Sequence, residues 1–175
     1  APQGGSIMYD DYDIVAGRDG DGPCRGSLGT LLGYIPQAVY LAGRTVRENV
    51  AFFEREEDID EGRVVSCLKL AALWDEVSSW EEGVHTLLGP AGRPVSSGQK
   101  QRIALARALY PDPGLLVMDE ATAALDLETE KAVIDAIRAD RKGKTLLLVT
   151  HHPGLARECD LVFRILDRKL VEVKL

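Results

Sequence analysis

Two short runs in this chain are apolar without interruption, Leu115-Leu116-Val117-Met118 and Leu146-Leu147-Leu148-Val149, and each ends directly in polar residues. Runs of that length without alternation mark strands covered on both faces, and hence a parallel sheet flanked by helices. The segments between and after them have helical spacing. Gln99 to Tyr110 reads as a helix stopped by Pro111 and Pro113, and Leu127 to Asp140 as a second, with Ala132, Val133, Ala136 and Ile137 facing the sheet. Upstream, Leu31 to Pro36 reads as a short buried strand leading to Gln37, and Thr45-Val46-Arg47-Glu48 has the capping-box form that opens a helix through Phe53. Helical character continues to Trp80, where Val64, Val65, Leu68, Ala71 and Ala72 recur at three and four residues. Ser6 to Val15 holds β-prone residues broken by Asp10, Asp11 and Asp13, which predicts two short antiparallel strands around a turn. Ala16 to Thr30 is glycine-rich and without apolar period, so it reads as a loop. Asp19 and Asp21 begin like a calcium loop, but Pro23 stands where a third oxygen ligand belongs, and a solvated loop is the better reading.

Composition narrows the class. A chain of 175 residues predicts one domain with a core of its own. At 45% hydrophobic and 28% charged residues it is ordinary for a globular protein, and no apolar run approaches the ~20 residues of a membrane span. A net charge of −7 disfavours nucleic acid as a partner. Cys24, Cys67 and Cys159 are far apart and in no metal-ligand spacing, so they read as idle thiols of a reducing compartment. The start, Ala1-Pro2-Gln3-Gly4-Gly5, has no initiating Met and no apolar signal core, and the chain reads as a fragment.

Candidate chemistry gathers at two places. Asp119-Glu120 lies at the carboxyl end of the first apolar strand, where open parallel sheets hold their ligands. There Asp119 can hold a magnesium ion, and Glu120 can orient or deprotonate a water beside a phosphate. Just upstream, Val95-Ser96-Ser97-Gly98-Gln99 turns into a helix with Ser96 and Gln99 as a capping box, leaving free backbone N–H groups that suit an anion. Alone, the first is also readable as an exposed acidic turn, and the second as a plain helix cap.

Together they carry a resemblance. VSSGQKQRIALARAL resembles the LSGGQ signature and following helix of ABC ATPases, and LLVMDEATAALD their Walker B strand, catalytic glutamate and D-loop, ending here in Ala124-Leu125-Asp126. GYIPQ resembles the Q-loop, with Gln37 the matching glutamine, and LLLVTH the switch segment, with His151 the matching histidine. TVRENVAF and HTLLGPAGRPVSSGQ are similar to exporter-type members. The resemblance implies an α/β fold, a RecA-like P-loop NTPase core over residues 1–43 and 107–175 with an inserted helical subdomain over 44–106. It implies ATP hydrolysis that drives transport, at the cytoplasmic face of a membrane. Gln37 and Asp119 would hold Mg2+ with ATP, partly through water, Glu120 would activate water, and His151 would contact the γ-phosphate. Ser96, Ser97, Gly98 and Gln99 would cap ATP held by a second nucleotide-binding domain in a head-to-tail dimer, with Asp126 in the D-loop. A coupling helix of the transmembrane domain would dock near Gln37, Tyr40 and Phe52, whereas His85 and His152 read as ordinary polar positions.

The departures are specific. No Gly-x-x-x-x-Gly-Lys-Ser/Thr occurs in these residues; Gly143-Lys144-Thr145 fails because Arg138 holds the first glycine position and a strand follows. In the family that loop precedes the strand that Gly5-Ser6-Ile7 matches, so the absent part is expected N-terminal, and this chain alone is expected to be inactive. Ser97 replaces a signature glycine, Pro90 an acidic residue, and Ala16 to Thr30 is longer than usual. Two other readings stay open, a non-catalytic module supplying only a signature surface and a soluble ABC ATPase of the DNA-repair class. The exporter-like segments and the acidic charge oppose the latter.

Overall fold

The computed structural model describes residues 8–9, 12–13, 32–122, 124–140 and 143–174. The predicted loop over 16–30, with Asp19, Asp21 and Cys24, lies outside the described residues. Strands β1 (Met8–Tyr9) and β2 (Tyr12–Asp13) pair antiparallel, as the broken β-prone run predicts.

The sheet that organises the rest has three parallel strands, β3 (Leu32–Ile35), β4 (Leu115–Asp119) and β5 (Thr145–Val149), with β4 central. Ile35 lies opposite Met118, Met118 opposite Leu148 and Asp119 opposite Val149, so all three carboxyl ends reach the same level. Burial, however, is one-sided. Ile35, Leu116 and Met118 are fully buried, whereas Tyr34, Leu147 and Val149 are about half exposed. The expectation of strands covered on both faces is therefore corrected: an apolar run records what a strand can bury, and only the packing decides which face is covered. Gly33 shows how close the covering layer comes. A Cβ there would stand 2.7 Å from the Ala108 carbonyl oxygen and 2.8 Å from the Pro113 ring.

Helix α1 (Val46–Val50) opens with the predicted capping box, Thr45 accepting from the Glu48 N–H while the Glu48 carboxylate accepts from the Thr45 N–H at 2.9 Å. It ends short of Phe53, the Ala51 N–H being the last to reach back, to the Arg47 carbonyl at 2.9 Å. A helix continuing that far would direct the Phe53 N–H to the Asn49 carbonyl, but Arg107, 58 residues away, donates its Nε to that oxygen at 2.7 Å. Arg107 also lies over the Phe52 ring at 4.6 Å, while the buried Asn49 amide donates to the Ala42, Arg44 and Thr45 carbonyls and so fixes the segment after Gln37. Helix α2 (Glu61–Leu70) is capped by Asp60 and buries Val64, Cys67 and Leu68. Ala72, expected on that stripe, is instead exposed at φ 51, where the Leu73 N–H reaches back to Leu68 and ends the helix. Burial pushes the Cys67 thiol up to about 11, which keeps it protonated and inert.

Helix α3 (Trp74–Ser78) leads to α4 (Ser97–Leu109), which packs on α1, α2 and β3 and buries Ile103, Leu105 and Ala106. Helix α5 (Leu127–Asp140) has the predicted bounds but a rotated stripe. Glu130, Val133, Ile134 and Ile137 are buried, while Ala132 is exposed and Ala136 only partly covered. A short α6 (Pro153–Ala156) precedes an antiparallel hairpin of β6 (Phe163–Leu166) and β7 (Lys169–Glu172). Among the described residues no helix is long and apolar enough to cross a membrane.

Two of the caps are acid-sensitive. Hydrogen bonds from the Thr45 hydroxyl and N–H hold Glu48 below its ordinary 4.5, and those from the Thr129 N–H and hydroxyl hold Asp126 below 3.8. Both groups bind a proton less readily folded than unfolded, so their contribution is present above the unfolded values and is lost as pH falls through the folded ones. Urea unfolding at a series of pH values should show the midpoint constant from pH 7 to 5 and falling below about 4.5. In Glu48→Gln with Asp126→Asn that fall should be smaller; an unchanged fall would assign acid lability elsewhere.

Candidate functional site

Because the three strands end level, Gln37, Glu120 and His151 emerge side by side. The Glu120 N–H donates to the Val149 carbonyl at 3.0 Å, which extends the ladder one step beyond β4. The residue sits at φ 48, a left-handed conformation that costs a non-glycine residue roughly 1–2 kcal/mol. Such a turn lifts the carboxylate off the strand axis. One Glu120 oxygen accepts from Gln37 Nε2 at 2.8 Å and the other lies 2.7 Å from His151 Nε2. Its side chain is 23% exposed and that of His151 87%, so the histidine is the solvent-facing member. Asp119 turns to the other side of the strand end, where its Oδ2 accepts from the Tyr34 hydroxyl at 3.3 Å. Partial loss of solvent and then the Asp119 charge hold the Tyr34 phenol above its ordinary value.

Chemically, this is a carboxylate poised by two donors beside a cleft of about 60 Å³, lined by Glu120, Thr122, Glu130, Thr150, His151 and His152. That is room for one or two waters. Asp119 and the Gln37 amide each offer a hard oxygen near the strand ends, with a single charge between them. Such a pair fits magnesium bound also by water and phosphate, which takes one or two protein carboxylates and not a full protein cage.

Ser96, Ser97, Gly98 and Gln99 lie elsewhere. Ser96 caps α4, accepting from the Gln99 N–H at 3.2 Å while its own N–H donates to Gln99 Oε1 at 2.8 Å. Gln99 Nε2 donates to Glu76 on α3, whose second oxygen pairs with Arg102 at 3.0 Å, so the turn is braced from the helical region. Beneath it runs the D-loop. A Cβ on Gly98 would meet the Ala124 carbonyl oxygen at 3.2 Å, and the Ala124 N–H donates to Gln101 at 3.0 Å. Asp126 caps α5 through the Thr129 N–H at 2.9 Å and hydroxyl at 2.7 Å. Thus Gln37, Glu120 and His151 come together with Asp119 beside them, while the signature turn, exposed at Ser96 and Ser97, contacts the D-loop and not this cluster.

Tyr34, Glu76, Gln101, Glu130 and His152 were not found from sequence. Only Glu130 left a signal there, as a charged residue in phase with Val133 and Ile137 on an otherwise apolar face. Lys144 is no phosphate ligand here; it pairs with Asp112, and α5 precedes it where a phosphate loop would have a strand.

The model of the ABC transporter family matches residues 1–123. Over 98% of this chain and 27% of its own length, the ATP-dependent lipid A-core flippase of Paraburkholderia xenovorans is 35% identical. The ABC multidrug transporter atrD of Emericella nidulans is 36% identical over 92% of this chain and 12% of its own length. Among solved structures, a bacterial Atm1-family ABC exporter with ATP bound superposes with a TM-score of 0.85 at 30% identity, over 98% of this chain and 29% of that one. The chain therefore spans less than a third of the length of each of these relatives. With the family motif order, the parallel sheet and the level strand ends all in agreement, the chain belongs to the ABC transporter family.

Proposed function

We propose that this chain is the catalytic-carboxylate and signature part of a nucleotide-binding domain that hydrolyses ATP to power export. The observation that carries the reading is Glu120 held between Gln37 and His151 at the level ends of three parallel strands. Glu120 takes a proton from the attacking water as it develops negative charge, and Gln37 keeps that carboxylate aligned. His151, the exposed partner, turns from Glu120 to donate to the γ-phosphate. Gln37 and Asp119 would hold Mg2+, which would supply positive charge against that of the phosphates.

The exposed signature turn, braced by Glu76 yet set apart from Glu120, supports a head-to-tail partner. In that arrangement Ser96, Ser97, Gly98 and Gln99 complete the site of a second domain, with Asp126 at the junction. Residues 44–106 act as the helical subdomain and 1–43 with 107–175 as the core. Tyr40, 75% exposed, and Phe52, whose ring lies under Arg107 with the 87% exposed Phe53 edge-on against it, supply apolar surface for a helix of a membrane domain, which would place the chain at the cytoplasmic face.

In the full-length transporter, His151→Ala should lower kcat by about 100-fold or more while the KM for MgATP moves less than about threefold. A variant retaining half the parent kcat would remove His151 from the reaction.

A further inference from the structure

The Glu130 carboxylate is one charged group the hydrolytic scheme leaves unused. Its side chain is only 2% exposed, on a stripe of α5 otherwise made of Val133, Ile134 and Ile137. Burying a carboxylate is unfavourable by several kcal/mol unless its oxygens are bonded, and an apolar residue could fill the same space. Among the described residues no lysine or arginine neutralises it. One oxygen instead accepts from the Thr122 hydroxyl, and the other lies 2.8 Å from His152 Nδ1.

Those two partners are informative by position. Thr122 follows Glu120 by two residues, and His152 follows His151 directly. Both contribute to the cleft that Glu120 and His151 line. His151 itself is almost free of neighbours, 87% exposed and bonded through its ring to Glu120 alone among the described residues. What holds its loop is His152, whose N–H donates to Thr150 Oγ1 at 3.0 Å and whose ring is anchored on Glu130.

We propose that Glu130 is a positioning residue that ties the loop after β4 to the loop after β5 through Thr122 and His152, and so sets the approach of His151 to Glu120. A bridge of this kind acts as outer-shell partners do elsewhere, by restricting the orientation of groups that touch the reacting atoms. The favourable place of a carboxylate in the first turn of a helix supplies a further reason for its charge, but an exposed position would serve that purpose equally. The inference rests on Glu120 and His151 being the reacting pair.

The test is made in the full-length transporter with Glu130→Gln, which keeps the volume, and His152→Ala, which alters a side chain that is 42% exposed and so spares the core. Each should lower kcat about tenfold or more with the KM for MgATP within about threefold, and the double variant should fall little further than either single one. Hydrogen exchange without nucleotide should rise over 120–124 and 150–153 in both variants while 127–140 stays protected. Exchange rising throughout 127–140 with a lowered melting temperature would make Glu130 a structural anchor of α5 and overturn the proposal. So would unchanged kcat in His152→Ala. Failure of the underlying reading is distinguishable, because it would appear in Glu120→Gln, which does not touch the Glu130 bridge.

Discussion

Glu120→Gln in the full-length transporter should abolish multiple turnover while leaving MgATP bound. The carboxamide keeps the length and one acceptor of the carboxylate, so either Gln37 or His151 can still be bonded, and the unusual backbone at φ 48 is asked of a side chain of the same branching. What it lacks is a site for the proton of the attacking water. Removing a general base typically costs 10²–10⁴ in rate, or about 3–5 kcal/mol of transition-state stabilisation. Binding should change little, because in the proposed scheme Glu120 faces the attacking water and not the phosphates. Phosphate release measured with saturating MgATP, alongside retention of labelled nucleotide, separates the two effects. Hydrolysis at more than a tenth of the parent rate would deny Glu120 its role, whereas loss of nucleotide binding at unchanged turnover per bound ATP would make it a ligand and not a base.

The 175 residues by themselves should bind MgATP no tighter than millimolar. Nucleotide affinity in phosphate-loop proteins comes largely from consecutive backbone N–H groups and a lysine around the β- and γ-phosphates, and no such loop occurs in these residues. The one Gly-Lys-Thr present opens a strand, and its lysine pairs with Asp112. Relative to a micromolar site the difference is at least 10³, about 4 kcal/mol. Isothermal titration of the chain with MgATP, beside an ATPase that has a phosphate loop as the reference, measures that gap. Micromolar binding by the shorter chain would mean that its own residues build a phosphate cradle.

Local signals were readable because their physics is complete within a few residues. The Thr45 and Ser96 capping boxes, the Leu127 start of α5 and the proline stop near Tyr110 each concern groups on the same turn of chain, and all appear as expected. The apolar runs at 115–118 and 146–149 told that a parallel sheet would form, and the motif order placed Gln37, Glu120 and His151 at its carboxyl ends. Family and candidate site are therefore legible in the sequence alone.

Tertiary structure decided what depends on residues remote in sequence. Past Val50 the Asn49 carbonyl is bonded by the Arg107 guanidinium, and no residue near Phe53 encodes that contact. The stripe of α5 is rotated away from Ala132 because Glu130 must reach Thr122 on one side and His152 on the other. A backbone hydrogen bond to a neighbour four residues away is fixed by periodicity, but a contact made across 58 or 22 residues exists only once the chain has closed on itself, and its sequence signature is no more than a polar residue in an apolar phase.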